Sequence, residues 1–245
     1  MLVTDWNSKE IKVMKSKGGK MSACNYKDNI IIPEGVSVWP HPDILKKLYK
    51  SNQIKSFNQI SAEELKSIGF YSDLQSLGGE DAITWSVFGT LHYFPESAKV
   101  DFINSLLALL KENVQVKHCI LQLWTRIAHP DNLVPGGPEL DFIFISDRVA
   151  IFGESKWQSG EAKNQGREKN KTQLQLRNEY FKNLGDKIFP SIDRKIVLLV
   201  ALEEEKGSPC SFISWDDVCN KTTHPLGDEI RRYYKWKKDV LDNYK

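Results

Sequence analysis

The segment VAIFGESKW, residues 149 to 157, opens as a buried strand and then sets Glu154, Ser155 and Lys156 where the apolar run would continue. Side chains alternate across a strand, so Glu154 and Lys156 share one face and Ser155 points to the other. A second apolar segment, LDFIFIS at 140 to 146, ends two residues earlier. A two-residue turn at Asp147-Arg148 would join the two as a hairpin and set Asp141 opposite Glu154. Asp-Arg is not a preferred turn pair, and a loop one residue longer or shorter would move the pairing. In this register two carboxylates stand with Cβ atoms about 5 Å apart, which is unfavourable for unpaired like charges. A divalent cation between them removes the conflict, and Mg²⁺ accepts one or two carboxylates completed by water and substrate phosphate. The chemistry that suits this set is phosphodiester hydrolysis. A metal lowers the pKa of bound water and polarises a phosphoryl oxygen, and Lys156 orients the water or stabilises charge building on the phosphate.

The elements that must position these residues follow from apolar periodicity. HCILQLWTRI at 118 to 127 is a further strand, and KIVLLVAL at 195 to 202 is a continuous apolar run of the central-strand kind. EDAITWSVFGTLHYF, after Gly78-Gly79, carries apolar residues at helical spacing, as does the segment from Glu96 to Lys111. QLQLRNEYFKNL reads as a helix between the Glu-x-Lys strand and the 195 to 202 strand, FISWDDV as a short strand leading into a helix, and EIRRYYKWKKDVLDNY as a final helix. The order helix, three strands, helix, strand predicts a mixed α/β domain containing a hairpin. Before it, the first 35 or so residues are lysine-rich and broken by Gly18-Gly19, with a strand-like patch at Ile30-Ile31-Ile32, and read as an irregular arm. Pro42-Asp43 and the capping-box sequence from Ser61 to Glu64 start two short helices. The chain is thus expected to divide into residues 1–75, an extension with a small helical accessory region, and residues 76–245, the α/β domain with its C-terminal helix.

Composition narrows the function classes. The chain has 245 residues, 34 Lys and Arg against 32 Asp and Glu, and a net charge of +2, so whole-molecule charge does not point to a nucleic-acid partner. Local charge does. Lys163, Arg167, Lys169, Lys171 and Arg177 follow the Glu-x-Lys strand with only Glu161 and Glu168 among them, a run that suits a phosphate-backbone track beside a metal site. RRYYKWKK near the end mixes basic and aromatic residues, for which packing of a terminal helix on the core is the better reading. The four cysteines are scattered without a CxxC pair, no histidine spacing suggests zinc, and all five histidines are read as non-catalytic. With no apolar run of membrane-spanning length and no signal-peptide pattern, a cytoplasmic protein without membrane association is expected.

Asp141 in GGPELDFIFIS and Glu154-Ser155-Lys156 in IFGESKW resemble the signature of the PD-(D/E)XK nuclease superfamily, the restriction-endonuclease-like fold. The family's core order of helix, three strands, helix and strand matches the chain from about Gly78 to Leu202. Two departures stand out: Leu140 rather than proline precedes Asp141, and Ser155 is polar where many members are apolar. The resemblance implies metal ligation by Asp141 and Glu154, a catalytic Lys156, a supporting acid at Glu80 on the preceding helix, and a glutamine on the following helix, Gln173 first and Gln175 second. It implies Mg²⁺ as cofactor, with Mn²⁺ expected to substitute, and DNA rather than RNA as substrate. Restriction or antiphage defence, with repair as an alternative, is the setting it suggests, and a homodimer would supply two sites for cutting two strands. A non-cleaving module that recruits nucleic acid, or a protein partner through residues 1 to 75, is the alternative. A hydrolase of a smaller phosphate substrate is a third.

Overall fold

A computed structural model describes residues 1–17, 19–36, 38–50, 73–127, 138–158, 171–204 and 207–243. The described elements run β1 (Leu2–Thr4), β2 (Glu10–Lys15), β3 (Met21–Ala23), α1 (Pro42–Lys50), α2 (Glu80–Val87), α3 (Glu96–Leu109), β4 (Cys119–Arg126), β5 (Glu139–Ser146), β6 (Val149–Ser155), α4 (Gln173–Ile188), β7 (Arg194–Ala201), β8 (Ser211–Ser214), α5 (Trp215–Lys221) and α6 (Gly227–Asn243). A 3₁₀ turn, Gly89–Tyr93, follows α2. The protein is α/β, and its chain folds as two compact units: residues 1–93 with 226–245, and residues 94–225. Among the described residues no helix is long and apolar enough to cross a membrane.

The second unit is built on a five-stranded sheet in the order β4-β5-β6-β7-β8. β4, β5 and β6 are antiparallel neighbours, whereas β6, β7 and β8 run parallel, with α4 crossing between β6 and β7. The two apolar faces of these strands are covered by different helices. Phe144 stacks on Phe102 of α3 with ring centroids 5.9 Å apart, while Phe152 stacks on Phe181 of α4 at 3.5 Å. Leu140, Ile143, Ala150 and Val197 complete the α4 side. β6 is buried at every position, as befits a strand covered on both faces. Gly153 is required within it, because a Cβ there would lie 2.1 Å from Cζ of Phe142, its cross-strand partner.

The first unit corrects the expectation of an irregular arm. β1, β2 and β3 form a three-stranded antiparallel sheet whose middle strand alternates buried Ile11 and Val13 with exposed Glu10, Lys12 and Met14. Ile30 and Ile31 are buried without being a strand. Buried backbone needs hydrogen-bond partners wherever it lies, and here side chains supply them. Ile31 N donates to Ser86 Oγ at 3.0 Å, Ile31 O accepts from Trp85 Nε1 at 3.0 Å, and Asn29 O accepts from the Tyr233 hydroxyl at 2.9 Å. These bonds place α2 and α6 in the same unit as the first 35 residues, so the chain does not divide at residues 75 and 76 as expected. In α6 the buried residues Ile230, Tyr233, Trp236, Lys237 and Val240 lie at helical spacing, so the aromatics of RRYYKWKK pack inward. The helix expected from Ser61 lies outside the described residues.

Candidate functional site

The hairpin brings the two acids together as expected. β5 and β6 pair Phe142 with Gly153 and Ile143 with Phe152, and one further step of that register sets Asp141 across from Glu154. The turn holds despite its sequence because Ser146 supports it: its Oγ accepts from Val149 N at 2.7 Å and Arg148 N at 3.2 Å. Asp147 adds a tether, its Oδ1 accepting from Lys117 N at 3.0 Å. Asp141 Oδ2 accepts from Ser155 N at 2.8 Å, which fixes that carboxylate against the end of β6.

Glu154 is 1% exposed and carries cations on both oxygens. Lys156 Nζ lies 2.7 Å from Oε1 and Arg177 2.6 Å from Oε2. Burial, and then the neighbouring Asp141, push the Glu154 carboxyl up to about 8 against the pull of Arg177 and Lys156. With Glu154 ionised, the two acids and two bases cancel in charge. Lys156 is itself pinned on both sides of its peptide: its N donates to Val200 O at 2.8 Å, and its carbonyl accepts from Trp215 Nε1 at 2.8 Å.

Arg177 was expected on an exposed phosphate track and is instead 5% exposed. Leu174, Arg177 and Phe181 lie on one face of α4, so the helix that buries the two apolar residues also buries the guanidinium. There it meets Glu154 and donates to Glu139 O at 2.6 Å. Lys171 is on the surface and paired with Glu179 at 2.7 Å, while Lys163, Arg167 and Lys169 lie outside the described residues. Gln175 serves the start of α4: Thr172 and Gln175 form a reciprocal capping box. Gln173 is the first residue of that helix and its Oε1 is buried with no hydrogen-bond partner.

One residue beside the site was not singled out from sequence: Trp124 of β4, which stands across from Asp141 between the pairs Leu123–Phe142 and Thr125–Leu140. Its φ of 46° lies in the left-handed region, an uncommon conformation for a bulky residue and one that interrupts the ladder beside the candidate acid. Neither β-propensity nor periodicity signals such a residue.

Glu80 is in the first unit, at the first position of α2. Its charge acts there on Lys237, a fully buried lysine whose Nζ donates to Leu77 O at 2.8 Å. Burial lowers the Lys237 ammonium to about 7, against the pull of Glu80 and Asp81. The same unit holds a second cluster, missed because Pro42-Asp43 was read only as a helix start. His41, Asp43 and His92 offer ligand atoms within 4.8 Å of one another. His41 is lowered to about 4 by burial and by His92, so it is a neutral imidazole at physiological pH.

Compared with protein-family models, with curated proteins and with solved structures, the chain has no match.

Proposed function

We propose that the second unit is a Mg²⁺-dependent nuclease that hydrolyses phosphodiester bonds of DNA, acting as an endonuclease of restriction or antiphage defence. The observation that carries this reading is the convergence of Asp141, Glu154 and Lys156 at the end of β6, on the hairpin register that the Glu-x-Lys segment called for. The order α3, β4, β5, β6, α4, β7, with β6 and β7 parallel, supports the restriction-endonuclease-like assignment.

The donor set fits the ion. Two carboxylates beside a lysine are hard ligands of the kind Mg²⁺ takes, and Mn²⁺ would serve in its place. When bound, the metal would supply Lewis-acid polarisation of the phosphate and an activated water. Asp141, held through Oδ2 by the Ser155 N–H, offers a carboxylate that need not reorganise. Glu154, raised to about 8 and paired with Arg177, would hold the ion as a carboxylate, which would tie metal binding to pH. Lys156, 14% exposed on its side chain, is the cation in reach of solvent and positions the anionic substrate.

One observation favours a second reading, a binding module on the same fold that does not cleave. Arg177 already occupies Oε2 of Glu154, at 2.6 Å. Cleavage of labelled circular and linear DNA, with RNA alongside, by wild type and Glu154→Gln in Mg²⁺, Mn²⁺ or EDTA separates the two. Metal-dependent cutting absent from the variant supports the nuclease. DNA binding without cutting in any metal supports the module.

A further inference from the structure

We propose that His41, Asp43 and His92 form a site for a divalent transition-metal ion of the Zn²⁺ class, in the first unit and separate from the Asp141–Glu154 cluster. His41 immediately precedes α1, Asp43 lies in its first turn, and His92 comes from the 3₁₀ turn after α2. The ion would tie these two segments together across the intervening chain.

Three observations converge on the site. Asp43 Oδ2 lies against both rings, 3.0 Å from His92 Nε2 and 3.8 Å from His41 Nδ1. His92 Nε2 is buried and makes no hydrogen bond, an unusual condition for an imidazole nitrogen this close to a carboxylate. All three side chains are largely enclosed, at 22%, 18% and 15% exposure for His41, Asp43 and His92, and none is sealed off completely.

The donor types choose the ion. Imidazole nitrogen suits Zn²⁺, Co²⁺ and Ni²⁺ and does not suit Mg²⁺. Three protein ligands leave a coordination position for water, the arrangement of open zinc sites. The imidazole rings are stacked, with centroids 4.4 Å apart and planes 15° from parallel. Lone pairs of parallel rings do not converge on one point, so loading turns the rings apart and breaks the contact of Asp43 N with His41 Nδ1, now 3.2 Å. His41 also packs against Trp85 and Tyr93, at 5.6 Å and 5.7 Å between centroids, so this turn changes tryptophan fluorescence.

The test is a Zn²⁺ titration of chelator-stripped full-length protein in excess Mg²⁺, followed by calorimetry and tryptophan fluorescence. It is run on wild type, His92→Gln, Asp43→Asn and, as the control for the other cluster, Asp141→Asn. The expected result is one equivalent bound with a fluorescence change in wild type and Asp141→Asn. In the two ligand variants, with wild-type circular dichroism, affinity falls by at least the roughly 10–100-fold that loss of a mere outer-shell partner costs. X-ray absorption of the zinc-loaded wild type needs no variant and is expected to show imidazole scattering. Zinc binding that is equal in all four proteins, or bound zinc without imidazole scattering, overturns the proposal.

Discussion

The two clusters use the same ingredients in opposite proportions. At the end of β6 two carboxylates meet two built-in cations, and the acid at the centre is 1% exposed. At the start of α1 one carboxylate touches two stacked imidazoles with no hydrogen bond to His92 Nε2. The first arrangement sets a cation against each oxygen of its central acid. The second is nitrogen-rich, and its one built-in counter-group is Asp43. The difference teaches that proximity of acids and bases is not one signal: donor softness and prior compensation decide which ion each place would take, and what each would do with it.

The largest effect expected is at the compensated cluster. Glu154→Ala leaves Lys156 and Arg177 without the buried carboxyl they share, and removal of one partner from a buried pair costs about 3–5 kcal/mol. Denaturant unfolding is expected to show this loss, and Glu154→Gln, which keeps the shape, is expected to lose less. Equal stability of all three proteins would mean the cluster is not the buried ion network described. Next, Lys156→Ala is expected to lower single-turnover cleavage by about 10²–10³-fold, the scale of losing one charge-stabilising group, while Zn²⁺ binding at the histidines stays unchanged. A parallel fall in both would break the separation of the clusters. Smaller again, Gly153→Ala forces a methyl against Phe142 and is expected to destabilise by roughly 1–3 kcal/mol, the usual cost of overpacking.

The units also differ in the sign of their pH dependence. Glu154 has its folded-state pKa raised from 4.5 to about 8, so its contribution is fully present below 4.5 and is lost as pH rises toward 8. Lys237 has its pKa lowered from 10.5 to about 7, so its contribution is present above 10.5 and is lost as pH falls toward 7. Unfolding measured across pH is expected to lose the first slope in Glu154→Gln and the second in Lys237→Met. Unchanged slopes would contradict the burial of both groups as the cause.

Much of the hairpin was legible because its information is local: two apolar strands, a short connection and a period of two fix which residues face each other. The support that makes Asp147-Arg148 acceptable as a turn comes from Ser146, a side-chain contribution that turn preferences do not contain. Arg177 was misplaced because a base in a basic run reads as solvated, although its spacing between Leu174 and Phe181 carried the contrary signal. The first 35 residues were misread for a related reason. Glu10, Lys12 and Lys15 around them hid the alternation of Ile11 and Val13, and the stretch Asn29 to Ile31 is held by long-range bonds with Ser86, Trp85 and Tyr233 that no window of sequence contains. The histidine cluster escaped because its third member stands some fifty residues beyond the first two.

The most direct measurement is single-turnover cleavage of circular duplex DNA in Mg²⁺ by wild type, Asp141→Asn and His92→Gln, with EDTA as the blank. Asp141→Asn keeps an acceptor for the Ser155 N–H and removes the charge a metal needs. The result expected is metal-dependent cutting by wild type and His92→Gln and none by Asp141→Asn. Equal cutting by Asp141→Asn, or no cutting by any of the three, would contradict a nuclease site at the end of β6.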